Sequence, residues 1–482
     1  MDDDTYASTP VFTILKVLIT IALALGWSML TCDVSTAFLH ADLLDYDLFM
    51  IPPKEYYPNG GIYWKLKKAM YGLKGAPKAW QDHFAKVIVS LGFVRLRSDA
   101  NVYVDFVTKI VILVYVDDLL LFGTLKSIMA LYETLDKHFV IRITGTLDKD
   151  NDTVKFLGRI LTRFSDSVSF SMPDGYFDEA FEHFKIKDIT NYAKTPSTKA
   201  LSSADDDSAL DTSLHKLYRR FVGKLQWVSP IRPDLSYTIK ELARWLTTPT
   251  TKHLNQLKHC MRYIRGTLHY KYVLRPLIQL ASLTTTIDLV VYVDSDWAGC
   301  AETRKSTSGV IIQLLGSSVT AISRTQSTRA LSSGEAEMYA VGTGMCEGLH
   351  LRNFLLEARL CNNINIIVFT DSTAGKAMST RFGTSKKTRH VHLKFLFVQD
   401  LVQEGVTTLK KVLGTENPAD VCTKPVDVTT LLKHLGNIGM TTTREQRMNY
   451  IGSIQLTRGQ RNHYDYVSRC LPANSLDWPS GH

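Results

Sequence analysis

Cysteine is scarce in this chain, and its spacing fits neither a zinc site nor a disulfide framework. The 482 residues include 7 cysteines, an odd number with no C-x-x-C pair. Structural zinc sites use closely spaced cysteines, and small secreted scaffolds use even numbers of them. The sequence therefore predicts reduced thiols and argues against a zinc ribbon, a zinc knuckle or a disulfide-stapled domain.

Long uninterrupted apolar runs are also lacking. The best candidate extends from Val11 to Leu30, but Lys16 interrupts it and leaves a remainder shorter than the ~20 apolar residues that a bilayer requires. Acidic residues at the very start are unlike the basic start of a signal peptide. We expect this segment to form a buried helix that ends near Gly26, and we expect no membrane partner.

Acidic residues are outnumbered by basic ones, which favours a polyanionic partner. Lys and Arg total 56 against 47 Asp and Glu, a formal charge of +9, in a chain that is 45% hydrophobic. The basic residues recur in small clusters with Tyr or Trp near several of them, a pattern that suits nucleic-acid phosphates and bases. Each cluster taken alone is equally well explained as a solvated face.

Changes in composition divide the chain into five segments. The stretch STKALSSADDDSALDTS is rich in Ser and Asp and predicts an exposed linker, and clear periodicity is lost after about residue 439. The predicted segments are 1–195, a linker at 196–213, a helical segment at 214–286, an α/β segment at 287–435 and a basic tail at 436–482.

The strongest local signal is the sequence KIVILVYVDDLLLFG at residues 109–123. Two apolar runs around a Tyr-Val-Asp-Asp step predict two packed strands with Asp117 and Asp118 at the turn between them. Like charges flanked by Val116 and Leu119 need neutralisation, which a divalent metal ion provides. The alternative is an ordinary hairpin whose two aspartates lie in an exposed turn.

A third carboxylate, Asp33, follows a short apolar stretch in LTCDVSTAFLH. Phosphoryl transfer by two Mg²⁺ ions needs carboxylates that hold the ions about 4 Å apart. Asp33 would complete such a set with Asp117 and Asp118. Spacing alone, however, would allow any aspartate at a strand end to do so.

Further carboxylates lie at predicted strand ends in the 287–435 segment. The sequence IDLVVYVDSDWAG predicts a strand that ends in Asp294 and Asp296, and INIIVFTD predicts one that ends at Asp371. The sequence KSTSGVIIQLLGSSVTAIS predicts a hairpin that turns near Gly316. Side chains from distant parts of the segment can converge at such strand ends.

Two more acidic residues are predicted at helix starts. Ser332 and Glu335 fit a capping box that opens a helix, which puts Glu337 within its first turns. In TENPAD, Asn417 fits an N-cap and Asp420 lies just inside the turn that follows. Four carboxylates are thus available for a second site.

Four motifs of the first segment occur in a recognisable order, namely DVSTAFLH, AMYGLKGAPKAW, LVYVDDLLLFG and KFLGRIL. Together they resemble the palm and finger motifs of reverse transcriptases from copia-type (Pseudoviridae-like) LTR retrotransposons. The resemblance implies that Asp33, Asp117 and Asp118 are catalytic and bind metal. The residues that it implies contact substrate in this segment are Phe38, Lys74, Gly75, Pro77 and Tyr115.

The resemblance also assigns roles to the substrate residues. Phe38 matches the bulky residue that lies under the sugar and excludes ribonucleotides, with core packing as the alternative. Lys74, Gly75 and Pro77 match the motif beneath the template and the incoming base. Residues 156–158 match the start of the segment that positions the primer end.

The 287–435 segment carries a second set of motifs, VDSDWAG, RKSTSG, LSSGEAEMYA, FTDSTAG, KTRHVHLKFLFVQDLV and NPADVCTK. They resemble the ribonuclease H domain of the same family. The resemblance implies a two-metal site formed by Asp294, Glu337, Asp371 and Asp420, with Glu337 preferred to Glu335 because of its EMYA context. It further implies substrate contacts from Arg304, Lys305 and His390, although a packed surface role suits the histidine equally well.

This sequence departs from the family pattern at three places. Gly75 stands where the family usually has Gln, and His392 stands where it usually has an acidic residue. The family also has a basic strand segment upstream of the region resembling DDDTYASTPVFTILKVLIT, and it helps to grip the triphosphate. This chain starts at Met1 after that segment, so the expectation of DNA synthesis by this chain alone is weaker than the resemblance by itself implies.

The resemblance implies a multidomain fold of α+β and α/β type. Its parts are an N-terminally truncated right-hand polymerase palm and fingers, a helical connection and a ribonuclease H-like α/β domain. It implies two Mg²⁺ ions, or Mn²⁺, per active site. The implied partners are an RNA template, a DNA primer, an RNA/DNA hybrid and dNTPs, with capsid, integrase and protease supplied elsewhere, in cytoplasmic virus-like particles that also reach the nucleus.

Two functions are compatible with these motifs. One is an active RNA-directed DNA polymerase with ribonuclease H activity. The other is a truncated or domesticated fragment that binds RNA/DNA hybrids, with ribonuclease H activity only or with none. The presence of all seven implied catalytic carboxylates favours the active enzyme.

Overall fold

The computed structural model is a mixed α/β structure built on three large sheets. It describes residues 8–9, 11–42, 47–58, 60–199, 208–381, 383 and 396–442. In these residues the α-helices are α1 (Phe12–Ala24), α2 (Ala37–His40), α3 (Ala76–Ser90), α4 (Leu125–Leu135), α5 (Asp178–His183), α6 (Thr212–Val228), α7 (Ser236–Ala243), α8 (Thr251–Gly266), α9 (Ser333–Glu357), α10 (Thr373–Thr380), α11 (Phe397–Gln403) and α12 (Val428–Leu435).

Sixteen of the strands fall into the three large sheets, in an order that mixes local hairpins with distant pairings, and β2 and β3 form a separate two-stranded sheet. They are β1 (Ser28–Val34), β2 (Phe49–Met50), β3 (Trp64–Lys65), β4 (Val94–Arg95), β5 (Val102–Asp105), β6 (Ile110–Tyr115), β7 (Asp118–Gly123), β8 (Ile141–Leu147), β9 (Thr153–Phe156), β10 (Arg159–Phe164), β11 (Ser167–Ser171), β12 (Lys271–Leu274), β13 (Thr286–Asp296), β14 (Thr307–Leu314), β15 (Ser317–Thr325), β16 (Asn363–Thr370), β17 (Thr407–Lys411) and β18 (Met440–Thr441).

The first sheet has the order β4-β5-β6-β7-β1-β8 and is covered on both faces. In β6, Ile110 and Ile112 pack with α3 and α4 in one core cluster, whereas Val111 and Leu113 pack in another cluster with α1. Side chains alternate between the two faces of a strand, so a strand covered on both sides is apolar throughout. This explains why the sequence around the two aspartates is a continuous apolar run.

Helix α1 lies at the centre of the molecule. Every residue from Ile14 to Ala24 is buried. The helix contacts β1 and β7 of the first sheet, β11 and β12 of the second sheet and β15 of the third. The expected buried helix is confirmed, and the chain turns away through Gly26, whose φ is +65°. None of the helices in the described ranges is long and apolar enough to cross a membrane.

The second sheet has the order β18-β12-β11-β10-β9 and joins distant parts of the chain. Strands β9 to β11 precede the predicted linker at 196–213, β12 follows the helices of the 214–286 segment, and β18 lies within the predicted tail. The predicted helices of the 214–286 segment are confirmed as α6, α7 and α8. The segment boundaries drawn from composition therefore separate strands that share one sheet.

The third sheet has the order β15-β14-β13-β16-β17. Strands β13, β14 and β15 are antiparallel, whereas β13, β16 and β17 are parallel. The predicted hairpin turn is confirmed at Gly316, whose φ is +83°. Helix α9 packs across this sheet so closely that a Cβ added to Gly344 would lie 2.5 Å from Val293 Cγ1. Glycine is required there for the helix to approach the strand.

The end of α9 joins the third sheet to the first. The carboxylate of Glu357 accepts hydrogen bonds from the backbone N–H groups of Arg97 and Ser98 at 2.7 and 2.8 Å. The guanidinium of Arg359 lies 4.2 Å from the ring centre of Phe106. These contacts connect the end of α9 to residues that follow β4 and β5 of the first sheet.

A buried amine marks the contact between α1 and the second sheet. Lys16 is 4% exposed, and its Nζ lies 4.2 Å from the ring centre of Tyr272. Burial, together with the nearby charge of Arg159, lowers the pKa of Lys16 to about 7. The ammonium is therefore destabilised in the folded state, although the face of the Tyr272 ring partly offsets the loss of water.

We expect Lys16→Met to stabilise the chain most strongly at low pH. The folded pKa lies below the unfolded value of 10.5, so the cost of the charged form is complete below pH 7 and shrinks as the pH rises above it. The substitution should raise the free energy of unfolding at pH 6 by about 2 kcal/mol and by less at pH 9.5, as measured by urea denaturation. Lys126→Met on the exposed surface is the matched control. Equal effects at both pH values would contradict the prediction.

Two candidate carboxylate centres

The first centre lies where β1 meets the β6–β7 hairpin. Asp33 on β1 is directly opposite Asp118 on β7, and Tyr115 on β6 is opposite Asp118 on the other side. Asp117 lies in the turn, and its carbonyl oxygen accepts a hydrogen bond from the N–H of Val34 at 2.9 Å. These three aspartates, called the Asp33 centre below, are therefore brought together by strand register and by one bond between the turn and the end of β1.

The turn of the hairpin has an unusual backbone conformation. Val116 has a φ of +59°, a left-handed conformation that β-branched residues rarely adopt. Its carbonyl oxygen accepts a hydrogen bond from Trp80 Nε1 at 2.7 Å. Trp80 is buried on α3, so this bond ties the turn to a rigid helix. Strain of this type persists only where the surroundings enforce it, and it is concentrated at functional sites.

Negative charge is crowded at the Asp33 centre. Burial, followed by the charges of Asp117 and Asp33, raises the pKa of Asp118 to about 6. Arg142 Nε donates to Asp33 Oδ2 at 3.0 Å and offsets part of this charge. The donor atoms are all carboxylate oxygens, which is the ligand type that Mg²⁺ and Mn²⁺ prefer. The residues present therefore fit a divalent metal ion.

The predicted substrate residues Phe38, Lys74, Gly75 and Pro77 lie on α2 and around the start of α3. The ring of Phe38 is half-buried on α2, with its centre 4.5 Å from that of Tyr71. Gly75 is the N-cap of α3, Pro77 lies in its first turn, and Lys74 is exposed just before it. Trp80 is also on α3, so its hydrogen bond to Val116 connects the helix that follows the predicted template motif to the turn that carries Asp117.

The predicted primer segment forms the tight turn between β9 and β10. Leu157 and Gly158 have φ values of +50° and +75°. A Cβ at Gly158 would lie 3.1 Å from the ring of Trp227 on α6. The turn therefore packs directly on a helix of the 214–286 segment.

The second centre lies at one end of the third sheet. Oxygen atoms of Asp294, Asp371 and Asp420 all lie within 4.8 Å of one another, and no other group of three potential metal ligands in the described residues is gathered so closely. Asp294 is on β13, Asp371 directly follows β16, and Asp420 lies in a 3-10 turn at Pro418–Cys422. With Glu337 these residues are called the Asp294 centre below.

Strand pairing and a helix cap bring the three aspartates together. Strands β13 and β16 are parallel with Val293 opposite Thr370, so Asp294 and Asp371 emerge at the same edge. The side chain of Asn417 caps the 3-10 turn, as the sequence predicted, and its Nδ2 also donates to the carbonyl oxygen of Val293 at 2.9 Å. That second bond anchors the turn, and hence Asp420, beside β13.

Glu337 and Glu335 differ in where their carboxylates point. Glu337 Oε1 accepts hydrogen bonds from Ser295 Oγ at 2.9 Å and Ser295 N at 3.2 Å. Burial, followed by the charge of Asp294, raises the pKa of Glu337 to about 8, and Asp371 adds to the effect. Glu335 instead accepts from the N–H of Leu331 at 3.0 Å, so it stabilises the start of α9. The geometry thus favours Glu337 as the member of the site.

A lysine that the sequence reasoning missed offsets the charge of this centre. Lys424 Nζ lies 3.0 Å from Asp420 Oδ1 and 3.9 Å from Asp294 Oδ2. Burial, followed by the charge of Asp420, raises the pKa of Asp294 to about 6, whereas Lys424 acts in the opposite direction. The spacing of four residues between Asp420 and Lys424 in NPADVCTK was the available signal. The oxygen-only donor set again fits Mg²⁺ or Mn²⁺.

The remaining predicted residues are less directly connected to the Asp294 centre. Asp296 is at the end of β13, and burial raises its pKa, but it is not among the three clustered aspartates. Arg304 has a φ of +53° in the loop before β14, and Lys305 follows it. His390 and His392 lie outside the described residues.

Comparison with known families finds a match for about the first two fifths of the chain. Residues 2–198 match the family described as reverse transcriptase (RNA-dependent DNA polymerase). The chain is 28% identical over 450 residues to the retrovirus-related Pol polyprotein from transposon RE1 of Arabidopsis thaliana, covering 91% of this chain and 29% of that protein. Over most of its length the chain is similar to Pol polyproteins of copia-type retrotransposons.

Another curated Pol polyprotein matches the chain over a similar length, and a solved structure matches most of it. The chain is 27% identical over 440 residues to the Pol polyprotein from transposon TNT 1-94 of Nicotiana tabacum, covering 88% of this chain and 32% of that one. It therefore spans about a third of the length of these curated relatives. A foamy viral protease-reverse transcriptase, solved in complex with RNA/DNA hybrid, has a TM-score of 0.48 at 12% identity, covering 84% of this chain and 46% of that one.

We expect Asp371→Asn to change both the Tm of the metal-free chain and the rise in Tm that Mg²⁺ causes. Removing one charge from the Asp294 centre should raise Tm without metal, since the carboxylates repel one another, and should reduce the rise in Tm that Mg²⁺ causes. Binding at about 100 times the dissociation constant stabilises a protein by about 2.7 kcal/mol. Differential scanning fluorimetry with EDTA and with Mg²⁺ measures both effects.

The control for this prediction is Asp174→Asn, an exposed aspartate in the loop between β11 and α5. It should change neither the metal-free Tm nor the response to Mg²⁺. If Asp371→Asn responded to Mg²⁺ as strongly as the unmodified chain, the Asp294 centre would not be a site for the ion.

Proposed function

We propose that this chain is an RNA-directed DNA polymerase with ribonuclease H activity, which copies retrotransposon RNA and degrades the RNA of the resulting hybrid. The observation that carries the proposal is the pairing of Asp33 with Asp118 beside Asp117, inside the region that matches the reverse transcriptase family. The closely spaced aspartates of the Asp294 centre support the second activity.

At the Asp33 centre, the chain's own residues supply charge and position. Two Mg²⁺ or Mn²⁺ ions, when bound, activate the attacking hydroxyl and stabilise the leaving oxygen. Asp33, Asp117 and Asp118 would hold them. The raised pKa of Asp118 supports this role, since a cluster of carboxylates that resists ionisation gains the most from a bound cation.

Substrate residues near the Asp33 centre are proposed to act by position. Lys74 is exposed at the start of α3 and can offer its ammonium to a triphosphate. Phe38, packed against Tyr71, would restrict the space available to the sugar of the incoming nucleotide. The turn at residues 156–158, supported by Trp227, would hold the primer end.

At the Asp294 centre, the proposed reaction is hydrolysis of the RNA strand. Asp294, Glu337, Asp371 and Asp420 would hold two divalent ions that activate a water molecule and stabilise the leaving oxygen. Ser295 orients Glu337 through two hydrogen bonds. Lys424, at 3.0 Å from Asp420, limits the repulsion among the carboxylates. Arg304 and Lys305 are proposed to contact phosphates of the hybrid.

The proposed ligands follow from these two reactions. They are an RNA template, a DNA primer, dNTPs and an RNA/DNA hybrid, with capsid, integrase and protease supplied by other products of the element. The Pol relatives support a setting in virus-like particles, and we propose that these are cytoplasmic and also deliver the enzyme to the nucleus.

We expect the two centres to be separable by mutation. Asp118→Asn should lower primer extension on an RNA template at least about 100-fold while leaving hybrid cleavage largely intact, and Asp371→Asn should do the reverse. One assay on the purified chain with Mg²⁺ follows both extension of a labelled DNA primer and release of a second label from the RNA.

The outcomes of this assay separate the two activities. Equal loss of both activities in either variant would contradict two independent centres. Cleavage without extension in the unmodified chain would limit the function to the ribonuclease. Hybrid binding without either activity would overturn the enzymatic proposal in favour of a binding protein.

Phe38→Ala should relax sugar selectivity. Shortening the side chain opens space beneath the sugar, so incorporation of ribonucleotides relative to deoxyribonucleotides should rise by about tenfold or more. Single-nucleotide insertion kinetics with matched rNTP and dNTP pairs measure the ratio. Phe38→Tyr, which keeps the ring, is the control and should retain selectivity. Unchanged selectivity in Phe38→Ala would assign Phe38 to core packing.

A further inference from the structure

One surface of the chain is unusually rich in exposed aromatic rings. It comprises residues 47–58 and 60–74, which include β2 and β3 and are called the aromatic hairpin here. Tyr56 is 70% exposed and Tyr63 is 65% exposed. The exposed aromatic residues of this segment are Phe49, Tyr56, Tyr57, Tyr63, Trp64 and Tyr71.

Exposed aromatic side chains are more frequent in the aromatic hairpin than in the rest of the described residues. Among the described residues, the only other aromatic side chains exposed to a similar degree are Tyr192 and Trp297. The ring centre of Trp64 lies 5.9 Å from that of Tyr56 and 6.3 Å from that of Tyr57. Exposed rings grouped in this way mark an interaction surface, since burying them is favourable. The aromatic hairpin therefore has the composition of a binding site.

The charge of the aromatic hairpin favours a polyanion. It contains five lysines against one aspartate and one glutamate. Lys65 pairs with Asp47 at 2.7 Å. Lys54, Lys67 and Lys74 are exposed and form no ion pair with another described residue, which leaves their charges available to phosphates.

Rings interleaved with lysines are suited to unpaired nucleotides in particular. Every base has a face that can stack on an aromatic side chain, and lysines track the backbone between the bases. In a duplex, by contrast, the faces of the bases are covered by their neighbours, so they cannot stack on the rings. A protein partner would not require the excess of lysine.

The position of the aromatic hairpin connects it to the Asp33 centre. The N–H of Ala69 donates to the carbonyl oxygen of Ala41 at 3.0 Å, which attaches the base of the hairpin to the segment that follows α2. The ring of Tyr71 contacts that of Phe38, with their centres 4.5 Å apart. The exposed rings therefore extend outward from the proposed nucleotide site.

We propose that the aromatic hairpin binds single-stranded nucleic acid by base stacking and holds the unpaired template as it approaches the Asp33 centre. The identity of the strand as template rests on the proposed function, whereas the binding itself does not. Tyr56, Tyr63 and Trp64 supply stacking surfaces, and Lys54 and Lys67 supply contacts to phosphates.

The test measures binding of a fluorescein-labelled RNA of about 12 nucleotides, a length within the range of single-strand binding sites, by fluorescence anisotropy in EDTA. A Tyr56→Ala/Tyr63→Ala variant should bind about tenfold or more weakly. Tyr192→Ala, which removes an exposed ring elsewhere, should bind as the unmodified chain does. A blunt RNA/DNA hybrid should bind both variants equally.

A second pair of variants tests the lysines. Lys67→Glu should weaken binding of the single strand and reduce its dependence on salt, and Lys126→Glu on α4 should not. Circular dichroism establishes that each variant is folded. An unchanged affinity of the double tyrosine variant for the single strand would overturn the proposal. Loss of self-association in that variant, seen by sedimentation, with unchanged RNA binding would assign the surface to a second copy of the chain instead.

Failure of this proposal is distinguishable from failure of the proposed function. The binding assay contains no divalent metal, so it does not depend on catalysis. If primer extension is absent but the tyrosines determine single-strand affinity, the surface proposal holds. If extension is present but affinity is independent of the tyrosines, the proposed function holds and the surface proposal falls.

Discussion

Repulsion among carboxylates is the constraint on which the arrangement of this molecule depends. At each centre, acidic groups are partly buried close together, and the pKa values of Asp118, Asp294 and Glu337 are all raised by that burial and crowding. Such an arrangement opposes folding unless the backbone enforces it. The structure enforces it with two covered sheets, a strained turn at Val116 and a cap at Asn417.

The two centres hold their carboxylates close together in different ways. At the Asp33 centre, antiparallel pairing places acidic side chains opposite one another, and a single arginine provides the compensating charge. At the Asp294 centre, parallel strands direct side chains to one edge, and a lysine four residues along the same turn provides it. Arg142 contacts one carboxylate of its centre, whereas Lys424 lies near two of them, Asp420 and Asp294.

Local features were predictable from the sequence, whereas distant ones were not. The β6–β7 hairpin, the buried helix α1 and the Asn417 cap each depend on a few neighbouring residues, and the sequence identified them correctly. The second sheet includes β12 and β18, which are separated from β11 by long stretches of chain. Changes in composition along the sequence do not indicate which distant strands will pair. Arg142 was missed for a related reason, because it is 109 residues from Asp33 in sequence, whereas Lys424 had a local signal in its four-residue spacing from Asp420. The roles of the individual site residues stay predictions.

The central position of α1 has a consequence for synthesis of the protein. Thr13 on this helix lies within 3.3 Å of the hydroxyl of Thr320 on β15, a partner 307 residues later in the chain. Until β15 emerges from the ribosome, one side of a strongly apolar helix has no surface to cover it. Contacts between residues so far apart in sequence also form slowly, because a long loop must close first. We therefore expect the nascent chain to expose this apolar face, and to be prone to aggregation, until a segment 307 residues later has been made.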